Sequence, residues 1–323
     1  MKNLLSKGSF KALLGIILTY IVLFVLLKTG IINSYYGGIL NLILINLILA
    51  ISLNLIVGFT GQLCLGHAGF MAIGAYTSAI LSVKLSLPFF ISILIGSLVA
   101  SLFAFLIGIP TLKLTGDYFA ITTLAFGEII RVIIMNINYL GGASGLSGIP
   151  IKTKFTTAYI FAVITIVVIY NLLHSSHGRA MISVRENEIA SEAMGVNTFK
   201  YKMYSFCIAA FFAGLAGGLF SHHLGFIQPA SFDFIKSIDI LTFVVFGGMG
   251  SLSGSVIATM FLTFLPEGLR SLKELRMIIY PLALIILMLF RPQGLLGNKE
   301  LSINVFKNFN KQGLNKRKEE EKC

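Results

Sequence analysis

Charge is scarce in this chain. Only 12% of its 323 residues are Asp, Glu, Lys or Arg, against 56% hydrophobic. A water-soluble domain needs a polar skin that this composition cannot supply, so the solvent it is built for is a lipid bilayer. Acidic residues are scarcer still, 13 against 25 basic ones, for a formal net charge of +12. In a soluble protein that excess would point to nucleic acid. Here it sits at the ends and in short loops, with no groove-reading or base-stacking motif. It therefore orients helices in a membrane, and no nucleic-acid partner is expected. The three cysteines, Cys64, Cys207 and Cys323, are scattered without pairing or metal-ligand spacing, which excludes a disulfide framework. The phosphate-binding pattern G-x-x-x-x-G-K-[ST] is missing, since the glycine-rich run 142–148 has no lysine. There is no His-Glu-x-x-His, no Ser/His/Asp arrangement and no pair of carboxylates in an apolar segment. No enzyme, no metal and no bound cofactor is expected of this chain; any ATP and Mg would belong to another subunit.

What the chain has instead is apolar helix. Runs at 13–27, 38–57, 69–83, 89–109, 118–135, 157–173, 203–222, 238–265 and 277–290 are long enough, or nearly so, to span a bilayer. They predict an all-α fold, a polytopic transmembrane bundle of about 8–10 spans. Glycine clusters at 58–61, 141–145 and 247–250 predict broken or re-entrant segments, which are tolerated at membrane depth where backbone is buried in protein or lines a cavity. Lys2, Lys7 and Lys11 hold the N-terminus inside; the first apolar run lacks a small-residue cleavage site and reads as an uncleaved span. Six crossings then return the chain to the cytoplasm at 178–202. The basic stretch after residue 297 is also cytoplasmic, so an even number of crossings lies between. That count requires one segment to be a pair of crossings or a re-entrant hairpin, and 238–265, broken at 247–254, is the best candidate. Arg270, Lys273 and Arg276 then fall outside, against the charge bias. The resulting division is a membrane domain, 1–297, and a flexible basic tail, 298–323.

The polar island 178–202 is the most informative segment. Arg179, Arg185, Lys200 and Lys202 flank a helix-forming centre, 186–194, charged on one side and small or apolar on the other. An amphipathic helix on the cytoplasmic face of a membrane protein is a docking handle for a soluble partner. That feature distinguishes a subunit of a driven machine from a stand-alone secondary transporter or channel, which would more often show paired charges in several spans.

Few ionisable residues lie within the runs. Glu128 and Arg131 share a helix face at i, i+3. They either line a path or neutralise each other and pair with a neighbouring helix, and the second reading is favoured. His67, in a glycine-rich turn, is expected to bond free backbone carbonyls at a broken helix, with a ligand contact the minority reading. His222 and His223 end a span and are expected to face water. Asp117 opens a helix, where the dipole favours it. Asp233 and Asp239 fall in or near an external loop. The small-residue strings 69–75 and 209–218 suit close helix approach.

Taken in order, NLIVGFTGQLCLGHAGFMAIGAYTSAIL (54–81), GDYFAITTLAFGEIIR (116–131), GGASGLSGIP (141–150), GRAMISVRENEIASEAMGVNTFKYK (178–202), FGGMGSLSGSVIA (246–258) and LFRPQGLLG (289–297) resemble the LivM-like inner-membrane permeases of branched-chain amino acid ABC importers. The resemblance implies a heterodimer with a sister permease, two ATP-binding cassette subunits and an extracytoplasmic binding protein that delivers leucine, isoleucine or valine. A related group carries urea or short amides. It implies that 188–195 is the coupling helix, with Glu192, Ala193 and Gly195 matching the EAA-and-glycine pattern and Arg185 and Glu188 beside it. Candidates for the translocation path are Gly61, Gly66, His67, Glu128, Gly248 and Gly250, where half-helix N-termini could meet a carboxylate. It implies a bacterial cytoplasmic (inner) membrane location, and the distribution of Lys and Arg places both termini in the cytoplasm. Position 64 departs from the family, with Cys in place of a small hydroxyl residue.

Overall fold

The computed structural model describes residues 7–30 and 33–269, together with residues 282, 285, 289, 294, 295 and 297. The expected span at 277–290, the cations at 270, 273 and 276, and the tail 298–323 fall almost wholly outside the described residues. Five helices are long and apolar enough to cross a membrane: α2 (Ser34–Val57), α4 (Phe89–Thr111), α5 (Asp117–Asn136), α6 (Phe155–His174) and α9 (Thr198–Leu224). Three others are apolar but shorter by that measure, α1 (Lys7–Lys28), α3 (His67–Val83) and α11 (Leu252–Gly268). Two helices, α7 (Ser176–Glu186) and α8 (Glu188–Ala193), form the polar island, and α10 (Phe234–Gly247) precedes α11. The chain is an all-α, multi-pass membrane bundle.

Helix α2 is its axis. It is apolar on every side, and nearly all of it from Ile43 to Val57 is buried against α6, α9, α10 and α11. A helix without a polar face has no preferred solvent side and is stable only when surrounded. In α4 both faces are again apolar, so hydrophobicity cannot choose which one turns inward. Size chooses: Gly96, Ala100, Ala104 and Gly108 face the bundle, while Phe90, Leu94, Leu98 and Leu102 are exposed. Small residues let backbones approach, and in lipid that packing drives association. Helix α9 lies close against both α3 and α4. A Cβ on Gly74 would lie 2.2 Å from the carbonyl oxygen of Gly214, and one on Gly214 would lie 2.6 Å from Ala100 Cβ. The strings 69–75 and 209–218 are thus packing surfaces, as expected.

The run 238–265 is a helical hairpin broken at the expected glycines. Asn54, at the end of α2, accepts from Gly250 N at 3.0 Å in the turn. Asn46, eight residues earlier and so about 12 Å up the helix, meets both arms: Lys236 of α10 donates to it at 3.2 Å and it donates to Thr263 of α11 at 3.3 Å. The two arms therefore run in opposite directions along α2. At the other end of the bundle a two-residue strand, β1 (Leu146–Ser147), pairs antiparallel with β2 (Phe226–Ile227).

Several local expectations change. The helix over 186–194 is interrupted at Asn187, whose side chain accepts from Ala190 N at 3.0 Å and starts α8 anew; an asparagine that can bond the backbone favours a cap over a helix interior. His222 does not face water. It is 0% exposed, with Nδ1 2.8 Å from Gly218 O and Nε2 3.0 Å from Ser82 Oγ, because α9 continues past it to Leu224. Asp233 caps α10, accepting from Lys236 N at 3.0 Å, and Asp239 lies within that helix.

Candidate functional site

The polar island is built from helix starts. Ser175 caps α7, Asn187 caps α8 and Asn197 caps α9, each accepting from the backbone N–H three residues on. Each cap fixes where one axis ends and the next begins, and Gly195, with φ of 83°, makes the left-handed turn between α8 and α9. The short helix α8 is then tied back to α9 by two side chains. Lys202 donates to Glu188, and Thr198 Oγ1 donates to Glu192 Oε1 at 2.6 Å. Ser191 is buried, and its hydroxyl closes on Asn187 O at 2.8 Å. The opposite face carries Ile189 and Met194, 82% and 84% exposed, with Ala193 exposed between them. Two large apolar side chains are thus held in the open on a helix whose polar struts brace it from the other side.

Arg185 connects this element to the bundle. It stands in the last turn of α7 and donates through Nη1 to Gly58 O at 2.7 Å and through Nε to Glu186 at 3.0 Å. Its side chain fills the space that glycines leave. A Cβ on Gly61 would lie 3.0 Å from Arg185 Cγ, and one on Gly250 would lie 2.7 Å from Nη1. Asn54 completes the junction by donating to Ser251 O and Ser255 Oγ, both at 2.9 Å. The break after α2, the break before α11 and the end of α7 are therefore one locus. Gly61 and Gly250, assigned from sequence to a path, and Arg185, assigned to coupling, meet there. Gly248 lies against the backbone of Gly297 on the same side.

Of the remaining candidates, Gly66 and His67 lie inside the bundle and Glu128 is half-buried at its side. Gly66 precedes α3 and packs on α5, where a Cβ would be 2.1 Å from Thr123 O. His67 is fully buried and its Nε2 is 3.0 Å from Ser52 Oγ, a side-chain hydroxyl rather than the expected backbone carbonyl. The next residue, Ala68, donates its N–H to Ser237 Oγ of α10 at 3.1 Å. Glu128 does two things: Oε2 accepts from Arg131 Nε at 2.8 Å, and Oε1 accepts from Phe234 N at 3.1 Å. A carboxylate at the first N–H groups of α10 is stabilised by the helix dipole, so the pair is joined to a neighbouring helix. Both half-helix N-termini are occupied by this chain's own groups: Ser237 at α3, and Ser251, which accepts from Gly254 N at 3.1 Å, at α11.

The sequence reading passed over Asn54, Asn46 and Ser237, which hold the hairpin. The signal was available, since an amide within an apolar run is expensive in lipid unless another helix satisfies it. It also missed Gln62 and Asn187, which carry no signature beyond their place in a loop.

Comparison with known proteins agrees with this architecture. Residues 35–289 match the family model described as the branched-chain amino acid transport system / permease component. The high-affinity branched-chain amino acid transport system permease protein LivM of Escherichia coli K12 is 37% identical, over 70% of this chain and 62% of that protein. Its counterpart from Salmonella typhimurium is 36% identical over the same shares, 70% and 62%. The E. coli permease LivH is 30% identical over 40% of this chain and 42% of its own length. The chain thus spans about 62% of the length of the LivM proteins it matches. No solved structure matches it. On the match over 35–289, the chain belongs to the family of permease components of branched-chain amino acid transport systems.

Proposed function

We propose that this chain is a permease subunit of an ABC importer that carries leucine, isoleucine and valine across a bacterial inner membrane. The observation that carries the reading is α8, a short helix locked to the bundle by Glu188–Lys202 and Glu192–Thr198 while Ile189 and Met194 stand in solvent. In this reading the α7–α8 end is cytoplasmic and α8 inserts into an ATP-binding cassette subunit. ATP and Mg are bound and turned over there, and this chain has no ATPase of its own. Similarity to both LivM and LivH supports a heterodimer of two related permeases, each docked on one ATPase, with a binding protein delivering cargo at the β1–β2 end. Closure of the ATPase pair moves α8, and Arg185 passes that movement to the breaks beside Gly58 and Gly250. The bundle then alternates between outward and inward openings. Such a cycle needs a cargo affinity that differs between the two states, not one strong fixed site.

Replacing Ile189 and Met194 together with Asp tests the docking. Burying either side chain at an interface contributes about 1.5–3 kcal/mol, and a buried carboxylate opposes it further. The ATPase is expected to be lost from the purified complex, with uptake falling at least about tenfold for each 1.4 kcal/mol. Undiminished co-purification and uptake would contradict the assignment of α8.

A further inference from the structure

The turn between α10 and α11 is soft by composition. Gly247-Gly248-Met249-Gly250 is mostly glycine, and Gly248 and Gly250 have φ of 108° and 88°. Such a stretch changes shape at little cost. Its second half is held by α2 and α7. Gly250 N donates to Asn54 Oδ1 at 3.0 Å, Asn54 donates to Ser251 O at 2.9 Å, and Arg185 Nη1 stands 2.7 Å from where a Gly250 Cβ would be. Its first half is held by a distant part of the chain. Helix α11 carries the chain away from the turn, and by Gly294 it is back. Leu295, partly buried against the core, donates its N–H to Phe246 O at 2.8 Å. The end of a helix leaves carbonyls without intrahelical donors; Phe246 is 4% exposed, so the donor for this one must come from protein. Gly294, with φ of 80°, and Gly248 meet backbone to backbone. A Cβ on Gly294 would lie 2.7 Å from Gly248 N, and one on Gly248 would lie 2.5 Å from Gly297 O.

We infer that Gly294, Leu295 and Gly297 are positioning residues of the transport cycle. They form a clip that stiffens the turn, so that a displacement delivered at Gly250 moves α10 and α11 together. The inference rests on the transmission through Arg185 proposed above and supplies what that transmission needs. A push on a glycine turn braced at one end only is absorbed by backbone rotation within the turn. Here the other end is braced as well, because Leu295 is bonded to Phe246 in the last turn of α10. The slack is then small, and the displacement passes to the two helices. The clip is made of main chain: one N–H to carbonyl bond and the contact of Gly294 and Gly297 with Gly248. No side chain can turn aside at those glycines. The clip also brings residue 297 to the same end of the bundle as the Arg185 junction.

The test uses the assembled transporter, with the sister permease and both ATPases, in proteoliposomes, and reads leucine taken up per ATP hydrolysed. Gly294→Ala puts a methyl group against Gly248 N and Val245 O. It is expected to lower that ratio by about three- to tenfold, as for loss of one neutral hydrogen bond, with the ATPases still co-purifying. On the Arg185→Met background the same substitution is expected to lower it further by less than about twofold, because residues that act through one element are not additive. A Gly294→Ala transporter with the parent's ratio overturns the clip. So does an undiminished further loss in the double variant, which would put Gly294 on a route separate from Arg185. Full coupling in Arg185→Met alone overturns the transmission reading instead. Hydrogen exchange in the unaltered complex depends on no variant folding. The amides of Leu295 and Gly248 are expected to open at one common rate, as members of one unit, and exchange at Leu295 more than about tenfold faster than at Gly248 overturns the clip.

Discussion

Arg185→Met is expected to uncouple the transporter, with ATP hydrolysis continuing while uptake falls by about ten- to a hundredfold. The size follows from the bond that is lost. Hydrogen bonds to a charged group contribute about 1.5–3 kcal/mol, and 1.4 kcal/mol is a factor of ten in an equilibrium. Among the described residues, Arg185 makes the one hydrogen bond from the end of α7 to Gly58 O, 127 positions earlier in the chain, while packing on Gly61 and beside Gly250. Without it, the proposed docking of α8 on an ATPase is expected to persist, because Ile189, Met194 and the two struts to α9 remain. What is lost is the transmission of its movement to α2 and to the α10–α11 hairpin. Arg185→Lys should recover only part of the coupling, since one ammonium cannot reproduce the fork that reaches Gly58 O and Glu186 at once. Uptake and phosphate release measured in the same proteoliposomes separate these cases. Loss of both activities with the ATPase gone from the complex would mean that Arg185 holds the docking surface rather than transmitting through it.

Gly214→Leu is expected to prevent folding altogether. At this position α9 touches α3 backbone to backbone, with Gly214 against Gly74 on one side and Ala100 and Ser97 of α4 on the other. Overpacking a core ordinarily costs about 1–3 kcal/mol because side chains can turn aside. Here a Cβ would meet Ala100 Cβ at 2.6 Å and the main chain of Ser97 and Gly96 at 3.1 and 3.3 Å, none of which can turn aside, so relief requires moving α4 away from α9, and a loss beyond about 4–5 kcal/mol is expected. The measurement is the yield of monodisperse protein after size-exclusion chromatography in detergent, with its melting temperature. Gly38→Ala is the matched control, since nothing lies within 4 Å of a Cβ there. A Gly214→Leu protein that purifies and melts like the parent would contradict the packing described.

These two residues also show what a single sequence discloses. The small string around Gly214 could be read as a packing surface because in lipid only size distinguishes the faces of an apolar helix. Its partner could not be read, since α3 and α4 offer similar strings. The hairpin at 247–254 followed from glycines together with the parity of crossings, both one-dimensional signals. Arg185 was visible as a cation flanking the polar, helix-forming island. Its reach to Gly58 was not, because that contact depends on where α7 lies over the α2–α3 loop. His67 and His222 were placed by their neighbours in sequence, whereas the Nε2 of each meets a serine hydroxyl on another helix, Ser52 and Ser82. In an apolar bundle the polar partners of a residue are set by helix rotation, which apolar composition leaves undetermined.

The most direct test of the central claim is leucine uptake into proteoliposomes that contain this chain, its sister permease and the two ATPases, with binding protein outside and ATP inside. The account predicts uptake that requires ATP and binding protein and is competed by unlabelled valine but not by urea. ATP hydrolysis stimulated by the binding protein without leucine uptake, or uptake competed by urea alone, would contradict the assigned cargo. Leucine flux that persists without the ATPases would contradict the assignment as a subunit of an ATP-driven importer.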